Sequence, residues 1–181
     1  NYGDPIAASD TLEVFKWLRE INPNIKLGLH TNGSARTPAW WSELGSILSK
    51  PGDYCKWGID GLADTNHIYR RGTNWEKIMD NAAAFIAAGG KAQWEFIVFK
   101  HNEHQIDNAR EFALNMGFNR FIVRKSHKFL LDALFEMQIA GSNGVKIEKP
   151  TQDKYVHPII LQRDRVFKLD EALLLSNNSP I

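Results

Sequence analysis

The constraint that narrows the fold most is an alternation. Helical and strand patterns succeed one another from residue 11 to residue 123, one pair about every 30 residues, the length of a βα unit. Leu12, Phe15, Leu18 and Ile21 recur at helical spacing behind Asp10-Thr11-Leu12-Glu13, an acidic form of a capping box, and Asn22-Pro23-Asn24 stops that helix. Ile25 to Leu29 is an apolar run suited to a strand, and His30-Thr31-Asn32-Gly33 turns it. Thr37-Pro38 opens a helix carrying Trp40, Trp41, Leu44 and Leu48, which ends near Pro51-Gly52. Tyr54 to Ile59 is the next strand. Trp75, Ile78, Met79, Ala82, Phe85 and Ile86 then form one apolar stripe, stopped by Gly89-Gly90. Ala92 to Phe99 reads as a strand. Asn102, with Gln105 three positions on, predicts a helix whose inner face is Ile106, Ala109, Phe112, Ala113 and Met116. Phe121 to Val123 is the last strand. Parallel strands need a crossover, so this order predicts an α/β fold of parallel β/α units. Strands that read as apolar without alternation predict burial on both faces. A closed barrel and an open, doubly wound sheet both fit the pattern.

The densest stretch is Trp57 to Trp75, WGIDGLADTNHIYRRGTNW. It begins as strand, breaks at Asp60-Gly61, and enters a polar loop from Leu62 to Gly72 holding His67, Arg70 and Arg71. Thr73-Asn74-Trp75-Glu76 then reads as a capping box with Thr73 as its cap. A strand that ends in an acid and feeds a basic loop and a helix matches the working rim of a β/α barrel.

Composition removes several classes. With 181 residues the chain is long enough for one well-cored domain, or a domain with an appended segment. Lys and Arg total 22 against 21 Asp and Glu, a net charge of +1, which gives no basic excess for nucleic acid. No apolar run of about 18 residues predicts a membrane span, and no export leader is seen. The single cysteine, Cys55, excludes an internal disulfide and points to a reducing compartment, so the expected location is cytoplasmic. Asn1-Tyr2-Gly3-Asp4-Pro5 reads as a loop in mid-fold, which predicts a piece of a longer chain.

In a parallel α/β fold the ligand lies at the carboxyl ends of the strands. Four corners fall there: Gly3-Asp4-Pro5, Thr31-Asn32-Gly33, Asp60 with Arg70 and Arg71, and His101-Asn102. Two carboxylates, two guanidinium groups and free amides suit a zwitterionic, hydroxyl-bearing ligand such as an aminoacyl nucleoside. Each corner also has a plain structural reading. Gly-Asp-Pro, Thr-Asn-Gly and Asp-Gly are ordinary turn sequences, and an Arg pair is ordinarily a solvated one. Glu95 lies inside an apolar strand, so it either points into a polar lumen or pairs with a basic group. His67, His101 and His104 lack metal-ligand spacing, so no metal site is expected; His101 belongs to the rim and His104 to a helix face. No P-loop, GxGxxG, GxSxG or cysteine pair is present.

The ordered series GDP, LHTNG, WGIDGLADTNHIYRRGTNWEKIMDN, WEFIVFKHNEHQ and the strand after MGF resembles the radical S-adenosylmethionine (SAM) enzymes. The resemblance is to the branch with a SPASM-type C-terminal extension. It covers roughly residues 1–128 and is strongest from Trp57 to Asn81. It implies a (β/α)6 partial TIM barrel over residues 1–128, with residues 129–181 as an extension of unassigned role. Gly3-Asp4-Pro5 would take the place of the family's Gly-Glu-Pro segment, with an acid one methylene shorter, and hold the SAM ammonium. Thr31 and Asn32 would end the third strand of that barrel. Asp60 falls in its Ser-Ile-Asp-Gly segment, where Gly58 stands for the usual serine. Arg70 or Arg71 would reach the SAM carboxylate, and Asn102 would lie near the adenosine. Glu95 and His101 are candidates for the substrate side.

The three-cysteine motif that holds the family's 4Fe–4S cluster is absent, as are the auxiliary cysteines. The resemblance therefore implies the SAM-binding portion of an enzyme that reductively cleaves SAM to a 5′-deoxyadenosyl radical for hydrogen abstraction. The intact protein would need a cluster, an electron donor and a substrate of peptide or carbohydrate-like kind, and this chain alone would be inactive. Two other readings stay open: a cluster-free barrel binding a nucleoside or a protein, and a hydrolytic barrel using Asp4, Asp60 and Glu95. From Leu130 the regularity fades, with helical patterns at Leu130 to Ile139 and Asp170 to Leu175.

Overall fold

The computed structural model describes residues 3–126 and 147–157. Two compact units form, Asn1–Ile97 with Asn102–Arg124, and Val98–His101 with Lys125–Ile181. The elements run α1 (Thr11–Ile21), β1 (Gly28–Thr31), α2 (Pro38–Ile47), β2 (Tyr54–Gly58), α3 (Asn66–Tyr69), α4 (Trp75–Ala87), β3 (Ala92–Val98), α5 (Ile106–Asn115) and β4 (Arg120–Lys125). The strands form a four-stranded parallel sheet in the order β1-β2-β3-β4. A doubly wound sheet reverses its strand order at a switch point, whereas sequential order is how a β/α barrel grows. The described strands therefore form an arc of β/α units, consistent with a partial barrel.

The register, Gly28 to Tyr54, Thr31 to Trp57 and Trp57 to Trp94, stacks the strand interiors in rows. Cys55 and Trp57 of β2 and Ala92, Trp94 and Phe96 of β3 are fully buried. Trp57 meets Trp41 of α2 with ring centroids 4.4 Å apart and Phe85 of α4 at 6.0 Å, and Trp94 meets Trp75 and Phe112. This face is the one covered by helices. The expectation of burial on both faces is corrected here: β2 and β3 alternate buried with half-buried positions, because the other face carries Lys56, Gly58 and Glu95 toward a polar cleft.

Local signals were obeyed where no other partner competed for the capping side chain. Thr37 caps α2 by accepting from Trp40 N at 3.4 Å, with Pro38 in the first position. Three expected caps moved. Asn74, not Thr73, caps α4 by accepting from Lys77 N at 2.7 Å, while the Thr73 hydroxyl donates to Arg70 O at 2.6 Å. Asp10 precedes α1 without a side-chain cap; Thr11 instead donates to Pro5 O at 2.6 Å. Asn102 precedes a single 3-10 turn, Glu103–Gln105, and its amide goes elsewhere. The α1 stripe is also partial: Leu12 is buried but Ile21 is 63% exposed. The helix is held as much by Arg19, which donates to Ile25 O at 2.5 Å and to buried Asp53 at 2.6 Å.

In the second unit Lys100 pairs with Glu148 at 2.8 Å, Phe99 stacks on His101, and Ile147 and Val156 are buried. The expected helices at residues 130–139 and 170–175 lie outside the described residues.

Candidate functional site

A cleft of about 360 Å³ opens at the carboxyl ends of β1 and β2. Gly3 and Asp4 line it from the entry loop, His30, Thr31 and Asn32 from β1 and its end, Lys56 and Gly58 from β2, Arg70 from the loop after α3, and Glu95 from β3. Its size is within the range of small-molecule sites, which run from about 300 to 1,000 Å³.

Asp4 fastens the entry loop to β1. One carboxylate oxygen accepts from Thr31 Oγ1 at 2.9 Å and from Asn32 N at 2.8 Å, and the other accepts from Ile6 N at 3.2 Å. These partners are neutral, so among the described residues no cation pairs with Asp4, and its negative charge stays on the cleft wall.

Asp60 and Arg70 divide the labour differently. Asp60 is fully buried and does not line the cleft. It accepts from Ile97 N at 2.6 Å and from Arg70 Nε at 2.6 Å, and its own N–H donates to Asn66 Oδ1 at 2.9 Å. Asn102, also fully buried, donates to Asp60 O at 2.8 Å and Ile97 O at 3.0 Å. Burial pushes the Asp60 carboxyl up to about 6, against the opposing pull of the Arg70 guanidinium. Arg70 is thus anchored through Nε, and its terminal nitrogens remain at the cleft. Gly58 makes room for them: a Cβ there would lie 2.4 Å from Arg70 Nη2.

The floor is built by side chains that sequence reading passed over. His30 and Lys56 are register partners on β1 and β2, and both line the cleft. Burial and the neighbouring Lys56 charge lower the His30 imidazole below its usual value. Glu95 does both things expected of it, lining the cleft and pairing with Arg124 at 2.7 Å. The parity of β2 was the available signal: with Cys55 and Trp57 in the core, Lys56 and Gly58 must face the other way.

Of the residues singled out from sequence, Gly3, Asp4, Thr31, Asn32, Arg70 and Glu95 come together in the cleft. Pro5 starts a 3-10 turn beside it, and Arg71 is exposed outside it. Asp60 and Asn102 lie behind it, and His101 belongs to the second unit. Because Asp60 is sealed from the cleft, it does not form an acid–base pair there with Asp4 or Glu95. Cys55 is fully buried in the core, and burial pushes its thiol well up, so it is unsuited to ligating an iron–sulfur cluster.

No protein-family model and no curated protein matches the chain. Solved structures do. The crystal structure of Streptococcus suis SuiB superposes with a TM-score of 0.58 at 16% identity, over 98% of this chain and 36% of that one. SuiB bound to S-adenosylmethionine gives 0.58 at 17%, over 97% and 36%, and SuiB bound to precursor peptide SuiA gives 0.54 at 20%, over 67% and 27%. The chain thus spans about a third of the length of these proteins, and the fold is what they share.

Proposed function

We propose that the cleft binds SAM and that the chain is the SAM-binding portion of a radical SAM enzyme. The observation that carries this reading is the pair of charged groups held at the strand ends: Asp4, whose carboxylate has no cationic partner among the described residues, and Arg70, aimed by Asp60. An amino-acid moiety carries the complementary ammonium and carboxylate. Asp4 would hold the first and the Arg70 terminal nitrogens the second. Thr31 and Asn32 would orient the ligand beside Asp4. The ordered sequence motifs and the fold shared with SuiB, which has been crystallised with SAM, support the assignment.

SAM when bound supplies a cleavable sulfonium. The 4Fe–4S cluster that reduces it in this family does not fit Cys55, so no electron-transfer step falls to residues of this chain. A SPASM-type extension at residues 129–181, an external electron donor and a peptide substrate belong to the same proposal. SuiB bound to its precursor peptide supports the peptide over a carbohydrate.

Titration of SAM into the full chain tests the reading. Arg70→Ala is expected to weaken binding by at least about tenfold, the worth of a charge-assisted contact, whereas Arg71→Ala should leave it unchanged. Absence of SAM binding to the parent chain, or equal affinity of Arg70→Ala, removes the assignment. Gly58→Ala is expected to weaken SAM binding less than Arg70→Ala does and to cost little stability, since the added Cβ pushes the Nη2 end of the guanidinium aside while Nε stays on Asp60. A Gly58→Ala protein with parental affinity would show that the guanidinium pose is immaterial.

A further inference from the structure

We infer that Lys56, with His30 beside it, forms a second anion-binding subsite on the cleft floor that takes a carboxylate of the substrate. This rests on the cleft being the SAM site and names the chemistry of the other molecule it admits.

The argument is a charge inventory. The cleft carries five groups of acidic or basic type, and three are accounted for. Arg70 is tied to Asp60, Glu95 is tied to Arg124, and Asp4 is the acid assigned above to an ammonium. Lys56 has no carboxylate within ion-pair distance among the described residues; its ammonium lies 5.3 Å from the centre of the Tyr54 ring. The Tyr54 face offers the cation a weak attraction and no neutralising charge. Glu95 does not neutralise it either: its carboxylate pairs with Arg124 Nε at 2.7 Å and lies outside ion-pair distance of Lys56.

Position follows from register. His30 and Lys56 sit opposite one another on adjacent strands, while the partner of Glu95 is Gly58, one inward position nearer the rim. Lys56 and His30 therefore lie deeper than the Asp4 and Arg70 groups at the strand ends. The neutral imidazole adds a hydrogen-bond donor without a competing charge. A cation and a neutral donor side by side, walled by an internally neutral Glu95–Arg124 pair, suit a single carboxylate.

The test uses N-acetyl-L-glutamate α-amide, which carries one carboxylate, and its neutral counterpart N-acetyl-L-glutamine α-amide. Each is titrated into the full chain while the His30 imidazole is followed by NMR, and SAM affinity is measured separately. The acidic probe is expected to bind and to raise the His30 titration midpoint. The neutral probe should do neither. Lys56→Met should lose at least about tenfold in affinity for the acidic probe, Lys56→Arg should restore most of it, and both should keep parental SAM affinity. Equal binding of the two probes, no binding of either, or an unaltered Lys56→Met protein overturns the subsite. A loss of SAM affinity in Lys56→Met also overturns it, by giving Lys56 to the SAM carboxylate and leaving the SAM reading in place. Acid binding without SAM binding in the parent chain leaves the subsite standing and removes the SAM reading instead.

Discussion

Gly33→Ala is expected to destabilise the protein by about 3–5 kcal/mol, lowering the melting temperature by roughly 10 °C, whereas Gly72→Ala should cost only about 1 kcal/mol. The two glycines have nearly the same backbone, φ 72° and φ 71°, so the left-handed strain of an added Cβ is common to both. Their surroundings differ. At Gly72 nothing lies within 4 Å of where the Cβ would be, while at Gly33 it would sit 2.3 Å from Trp57 Cζ3. Trp57 cannot retreat, being fully buried between Trp41 and Phe85. The loop cannot lift freely either, because Asn81 Nδ2 donates to Gly33 O at 2.8 Å and to Ala35 O at 3.2 Å. Thermal unfolding of the two variants beside the parent reads the difference directly. Equal shifts would mean that strain alone matters and that the Trp57 contact yields at little cost.

The same contact ties stability to binding. Thr31 and Asn32, which hold the Asp4 carboxylate, immediately precede Gly33, so any displacement of the loop from Trp57 moves the cleft wall with it. A folded Gly33→Ala protein should for that reason bind SAM more weakly than Gly72→Ala.

How much of this was legible follows from the range of each interaction. The β/α order was readable because periodicity and stop signals are local, and strand order then distinguished the barrel arc from the doubly wound sheet. Thr73 and Asn74 are both good caps, and the choice between them was made by Arg70 O, three residues back, which engages the Thr73 hydroxyl. Asn102 reads as a cap, yet its amide reaches Asp60, 42 positions away. Asn66, in the stretch that reads as a polar loop, is buried and accepts from Asp60 N, and buried Asn81 donates to Gly33 O, 48 positions away. Lys56 was hidden by a different error. Taking the strands as buried on both faces removed any reason to ask which way each residue points, although Cys55 and Trp57 already set the parity. Asp60 was visible as an important acid, but sequence cannot distinguish an acid that touches a ligand from one that stands behind it.

That distinction has a pH signature, and Asp60→Asn is expected to expose it. The folded-state pKa of about 6 lies above the usual 3.8 because desolvation outweighs the Arg70 and Ile97 partners. Between those values the folded state binds more protons than the unfolded one, so this group makes stability fall as pH rises from about 4 to above 6. A shift of about two units corresponds to about 3 kcal/mol over that window. Asn cannot ionise, so Asp60→Asn should gain roughly 2–2.5 kcal/mol relative to the parent on going from pH 4 to pH 7.5, since the unfolded carboxyl is already about half ionised at pH 4; denaturant unfolding at both values measures it. The remaining groups that titrate are common to the two proteins and cancel in the comparison. Binding should move the other way. Above pH 6 the charged carboxylate fixes Arg70, so the parent should bind SAM more tightly there than at pH 5, with Glu95 held by Arg124 on the facing strand. Asp60→Asn should bind weakly and without that pH dependence, since its amide can offer Arg70 no anion. A parent whose stability difference from Asp60→Asn is flat in pH would show that Asp60 ionises in its ordinary range and that the Arg70 pair fully offsets its burial.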